Sequence, residues 1–237
     1  MQISDRQKNI LDTIIREYVE SAKPVSSQYL GEKYDFGICP ASIRIEMQKL
    51  TDDGFLCQPH TSAGRVPTDK GYRLFVDAVL EGDNIPANLL DFDAAKNIEE
   101  EFEDVFKLAS SLTRSLAEAS SSLVLGYMKR EDVLWKEGWE DLLQNPEFGQ
   151  RELIDNFINY LSYLEDNVKT RGPESKLDIY IGGENLFPKA EEFSAITFAL
   201  QPGEEEEVIL SIVGPKRMAY ERNIALTNEV LKLFENL

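Results

Sequence analysis

Apolar positions recur at helical spacing from the start of the chain. Ile10, Leu11, Ile14, Ile15, Tyr18 and Val19 share one face, with Ser4-Asp5 as a helix start and Lys23-Pro24 as a stop. Ser26-Ser27 is a second cap, followed by a short apolar face of Tyr29, Leu30 and Tyr34 and the turn Asp35-Phe36-Gly37. The next pattern opens at Pro40, suited to a first helical position, and closes at Gly54, suited to the left-handed residue past a helix end. Over the intervening helix of about four turns, Ile43, Met47 and Leu50 form a stripe to be buried. Ala41, Arg44, Ile45, Gln48 and Asp52 fall on the opposite face. Phe55–Gln58 is strand-like and Thr61-Ser62-Ala63-Gly64 is a turn, so the return through Arg65 to Pro67 predicts a hairpin whose tip carries His60, Ser62 and Arg65. A fourth helix opens at Thr68 and includes Tyr72, Phe75, Val76 and Val79. This order predicts a winged helix-turn-helix over residues 1–80.

Residues 81–95 mix Gly, Pro, Asn and Asp and read as a linker to a second domain, 96–237. Ile98, Phe102, Val105, Ala109, Leu112 and Leu116, continued by Ala119 and Leu123, alternate spacings of four and three and predict a long helix over 96–120. Such a stripe either packs on its own sheet or pairs with its twin in a dimer, and the first six are the candidate interface residues. SSLVLGYM then reads as a strand and VLWKEGWEDLL as a helix. Another helix carries Leu153, Phe157, Ile158, Leu161 and Leu164. KLDIYIG, FSAITFAL and EVILSIVGP are strands, and a final helix runs from about Ala219 to Phe234. The fold class is therefore α+β, an antiparallel sheet with helices on one face. Pro202–Glu207 reads as a solvated turn between strands.

The net charge of −18 at first argues against nucleic acid, which wants a basic surface. Its distribution changes that. Residues 1–80 hold 10 Lys+Arg against 11 Asp+Glu, and residues 81–237 hold 15 against 32. A near-neutral first domain can present Arg44, Lys49, Arg65, Lys70 and Arg73 on one side, while an acidic second domain discourages non-specific binding. Enzyme chemistry finds no constellation. His60 is the one histidine, Cys39 and Cys57 lack zinc or disulfide spacing, and Gly182-Gly183 opens no helix, so neither catalytic residues nor a cofactor or metal is expected. With no apolar run long enough for a membrane span and no apolar centre at the amino terminus, a cytoplasmic location is expected.

SDRQKNILDTIIREYVESAKPVSSQYL, CPASIRIEMQKL and, above all, PHTSAGRVPTDKGYR resemble the HrcA family of heat-inducible transcription repressors. LLQNPEF, IYIGGEN and VGPKRMAYERNIAL follow in the family's order, so the resemblance spans most of the chain. It implies a GAF-like second domain, here trimmed, and a repressor of chaperone genes. It also implies double-stranded DNA with an inverted-repeat operator, a homodimer and a GroE-type chaperonin as partners. The residues expected to meet DNA are Ser26, Ser42, Arg44, Ile45, Gln48, Lys49, His60, Ser62 and Arg65. The chain departs from the family at Cys39, where Ser is usual, and at Ile45, where Asn is common. It also departs near Lys129–Asp132, where the family carries part of its GAF-like domain and an inserted dimerisation domain. Two other functions stay open: a regulator sensing a small molecule through its second domain, and a protein-interaction module that binds no DNA.

Overall fold

A computed structural model of the chain describes residues 3–82, 105–202 and 206–235. Residues 83–95 of the expected linker, Ile98 and Phe102, and residues 203–205 lie outside the described residues. The chain divides into two compact units, Met1–Gly82 and Asp83–Leu237.

In the first unit, α1 (Asp5–Ser21) begins with a reciprocal cap in which the Ser4 hydroxyl accepts from the Gln7 amide and the Gln7 side chain returns to the Ser4 amide. α2 (Ser27–Lys33) is capped by Ser26 and α4 (Asp69–Glu81) by Thr68. α3 (Pro40–Asp52) has Pro at its first position but no side-chain cap at Cys39, and Gly54 beyond it takes φ +81°. β1 (Leu56–Cys57) and β2 (Val66–Pro67) form a two-stranded antiparallel hairpin. The core is Ile10, Leu11, Ile14 and Ile15 of α1 against Leu30, Ile43, Met47, Leu50, Tyr72, Phe75 and Val76.

One buried charge joins α1 to α2. Glu17, only 4% exposed, accepts from Lys33 Nζ at 2.7 Å and from the Tyr29 and Tyr34 hydroxyls. Tyr29 and Tyr34 therefore serve as donors on α2 and its end, where an apolar face was expected. Burial alone would raise the Glu17 carboxyl, but the hydrogen bonds from Lys33, Tyr29 and Tyr34 outweigh it and hold it below its ordinary value.

The second unit is a five-stranded, wholly antiparallel sheet in the order β4-β3-β7-β6-β5. Its strands are β3 (Leu123–Met128), β4 (Val133–Glu137), β5 (Asp178–Ile181), β6 (Phe193–Leu200) and β7 (Val208–Pro215). VLWKE is thus a strand, not the start of a helix. It pairs residue by residue with β3 through a turn in which Asp132 takes φ 52°, and only Trp139–Leu143 is helical, α6. Trp135 lies over Gly126, where an added Cβ would fall 2.3 Å from the indole, and its Nε1 donates to Thr113 at 3.0 Å.

Helices cover both faces of this sheet rather than one. On one face Leu123, Leu125, Tyr127, Phe193, Ala195, Ile209 and Val213 pack with Phe157, Tyr160, Leu161, Leu164 and Val168 of α7 (Arg151–Thr170). The alternate residues face α5 (Val105–Ser120) and α8 (Tyr220–Glu235), shown by the Trp135–Thr113 bond and by Ser194 meeting the Tyr220 hydroxyl at 2.7 Å. Every residue of β3 and β7 is consequently buried. This placement corrects the dimer expectation at three positions: Ala109, Leu112 and Leu116 lie inside the chain's own core, at 3%, 3% and 0% exposure, and offer no surface to a second copy. Val105 is half-buried.

Replacing Glu17 with Gln removes the charge and leaves its three donors poorly matched, with an expected loss of about 1–3 kcal/mol in the first unit. Because the folded carboxyl sits below its unfolded value, its contribution is full above the unfolded value and fades as pH falls through the folded one. Denaturant unfolding between about pH 3 and pH 7 should therefore show a shallower acid dependence in Glu17→Gln than in the parent. Parallel curves would mean that this cluster adds nothing.

Candidate nucleic-acid interface

α3 turns Ile43, Met47 and Leu50 inward, and this alone fixes what faces out: Arg44, Ile45, Gln48 and Lys49 are exposed, Ile45 at 58%. The hairpin is brought beside this face by its backbone. Val25, in the turn between α1 and α2, pairs antiparallel with Arg65, with hydrogen bonds of 2.9 and 2.8 Å in the two directions. The approach is so close that a Cβ on Gly64 would fall 2.3 Å from the Val25 carbonyl oxygen, which makes glycine a requirement there. Gln58 closes the tip by donating to the Thr61 and Ala63 carbonyls at 3.0 and 2.9 Å.

Arg65 does not stand at the tip. It stands where the turn enters β2, and its guanidinium turns back onto α3, with Nε donating to Thr51 Oγ1 at 3.0 Å and Nη2 to Gln48 Oε1 at 3.0 Å. Gln48 in turn donates from Nε2 to Asp52 Oδ1 at 2.8 Å. The Gln48 amide has one allowed orientation, since arginine only donates and a carboxylate only accepts.

Between α3, the start of α2 and the hairpin lies a recess of about 310 Å³, lined by polar side chains including Ser26, Arg44, Gln58, Ser62 and Arg65. The structure thus brings together Ser26, Arg44, Ser62 and Arg65 of the expected residues. Ser26 also caps α2, accepting from the Tyr29 amide. Lys49 lies outside the recess, paired with Glu46 at 3.0 Å, and Ser42 meets Cys39 Sγ at 3.5 Å. That Ser42 hydroxyl lowers the Cys39 thiol from its ordinary value. His60 Nδ1 meets Ser62 Oγ at 3.3 Å. Lys70 and Arg73, both on α4, make other bonds: Lys70 donates to the Asp53 carbonyl at the end of α3 at 2.7 Å, and Arg73 pairs with Asp77 at 3.4 Å.

Thr51, Gln58 and Gly64 belong to this site and were not singled out for it from the sequence, whereas Asp52 was placed on the outward face of α3. Only Gly64 carries a local signal, as the last residue of Thr61-Ser62-Ala63-Gly64. Among the described residues, no cluster of His, Cys, Asp or Glu is arranged to hold a metal ion, and no helix is long and apolar enough to cross a membrane.

A family model described as the HrcA protein C terminal domain matches residues 75–224. The chain is 53% identical over 81 residues to the heat-inducible transcription repressor HrcA of Alkaliphilus metalliredigens, covering 34% of this chain and 24% of that relative. It is 39% identical over 127 residues to the repressor of the same name from Desulfitobacterium hafniense, covering 52% and 36%. The matched stretches thus span only about a quarter to a third of the curated relatives' length. In fold, the chain is similar to the crystal structure of a hypothetical protein at 2.2 Å resolution, with a TM-score of 0.79 over 99% of this chain and 98% of that one at 21% identity.

Gly64→Ala should pry the hairpin from Val25 and destabilise the first unit by about 1–3 kcal/mol. Amide exchange should speed up at Val25 and Arg65 while the α1 core stays protected. Unchanged protection at those two amides would show that the turn relaxes around a methyl group.

Proposed function

We propose that this chain, which belongs to the HrcA family, is a sequence-specific DNA-binding transcription repressor of heat-shock genes. Its first unit acts as a winged helix-turn-helix, with α3 in the major groove and the β1–β2 hairpin as the wing, and its second as a trimmed GAF-like domain. The observation that carries this reading is the outward face of α3, where exposed Arg44 and Ile45 stand beside a hairpin locked to the same helix by Arg65. Relatives that match part of the chain are named heat-inducible transcription repressors, which supports the regulated class.

The operator would be an inverted repeat, bound in the cytoplasm by a homodimer, with a GroE-type chaperonin sustaining repression. With Ala109, Leu112 and Leu116 taken up by the core, the two-fold contact has to use other surfaces. Ligand sensing by the second unit is favoured less. Among the described residues, a cleft lined by Tyr163, Asn167, Arg171, Asp178 and Tyr180 holds about 50 Å³, far below the roughly 300–1,000 Å³ of small-molecule sites.

Selection of bound sequences from random duplex DNA tests the reading, with an enriched inverted repeat as the expected result. No enrichment, together with binding that ignores salt, would point to a protein-interaction module instead.

Ile45 gives this test a residue. A branched apolar side chain exposed beside Arg44 can pack on a thymine methyl group, whereas an Asn there would hydrogen-bond an adenine edge. The base pair facing Ile45 should therefore change preference in Ile45→Asn, by about 1–3 kcal/mol between the two bases. Identical selected sequences from both proteins would remove Ile45 from readout.

A further inference from the structure

We infer that the recess between α3 and the hairpin is a seat for the phosphodiester backbone, in which Arg44 and Arg65 bind phosphate and Gln48 is a positioning residue for Arg65 rather than a reader of bases. The inference rests on the DNA-binding reading and deepens it.

Shape is the first argument. Base edges in a duplex are stacked at the floor of a groove and are met by side chains that project, whereas sugar-phosphate strands are the ridges that a concave surface can receive. The recess is concave, about 310 Å³, and lies between elements rather than on the crest of α3 where Ile45 stands. Its lining is the second argument. Two guanidinium side chains, Arg44 and Arg65, share it with hydroxyl groups of Ser26, Ser27, Thr61 and Ser62, and it contains no carboxylate. That donor-rich, acceptor-poor set suits a phosphate oxygen.

Gln48 is not free to read a base. A bidentate contact to adenine needs both ends of its amide, and here both are engaged, the oxygen by Arg65 and the nitrogen by Asp52. Asp52, Gln48 and Thr51 together hold two of the Arg65 N–H groups. Its Nη1 group has no partner among the described residues and remains for a ligand. A guanidinium fixed in this way loses less side-chain freedom on binding.

The full-length chain is titrated, across a range of salt, with the duplex recovered by selection, with a random duplex, and with inorganic phosphate as competitor. Arg44→Ala and Arg65→Ala should each weaken both duplexes by the same factor, lower the slope of log affinity against log salt by about 1, and leave the selected sequence unchanged. Gln48→Ala should weaken binding less, and the Gln48→Ala/Arg65→Ala double variant should be no weaker than Arg65→Ala alone. Thermal unfolding confirms that each variant is folded, and Arg65→Lys, which keeps the charge without the fork, should retain the salt slope. Three results would overturn the inference while leaving the repressor reading intact: lost preference at one base pair with an unchanged slope, additive Gln48 and Arg65 losses, or inorganic phosphate blocking the recess at concentrations that leave duplex binding untouched. A parent chain that binds no duplex would sink the repressor reading itself.

Discussion

Arg65 ties the first unit together. Its backbone pairs with Val25 in the turn between α1 and α2, and its side chain bonds to Thr51 and Gln48 on α3. A two-residue hairpin has almost no stability of its own, since two ladder positions cannot offset the entropy of ordering the turn. Here it is held at one end by a third backbone segment and at the side by a guanidinium, so its position relative to α3 is set before any partner arrives. Glycine at position 64 is the steric condition for that arrangement, because the Val25 backbone occupies the space of a side chain.

The second unit follows a different constraint. β3 and β7 at the sheet centre are buried along their whole length, so each face needs a helical cover, supplied by α7 on one side and by α5 and α8 on the other. This is why the apolar stripe of α5 is turned inward. At Lys129–Asp132, where the family carries additional material, the chain closes a hairpin turn, held to the end of β7 by the Lys129–Glu207 ion pair at 2.6 Å and by the Arg130 amide on Glu206. The sheet is continuous across that point and depends on nothing inserted there.

Much of this could be read from the chain, and the reason is locality. The Ser4, Ser26 and Thr68 caps, Pro40, Gly54 and the Ile43, Met47, Leu50 stripe each act within one turn, so the helices of the first unit and the outward face of α3 were readable directly. What was misread depends on distant partners. VLWKE has a composition that suits either element, and its pairing with β3 decides for strand. A spacing of about 3.5 residues marks a buried stripe without saying what buries it, and for α5 the partner is the chain's own sheet. The burial of Glu17 carries no local signal, because its donors lie 12 to 17 residues further on.

The same distinction divides the candidate site. Which residues of α3 face outward follows from helical geometry, so Ile45 could be placed from the sequence, and a residue placed by the helix itself is suited to reading base edges. Where the Arg65 side chain goes follows from two hydrogen bonds made across 14 and 17 residues, which no local pattern encodes. Those bonds take Arg65 from the hairpin tip to the flank of α3 and, in the same step, occupy Gln48. On the proposed DNA-binding reading, sequence preference would concentrate on the exposed crest of the helix, and affinity on the recess beside it. An acidic second unit suits that proposal: it opposes general attraction to a polyanion, so binding to a duplex would depend on the few cations of the recess.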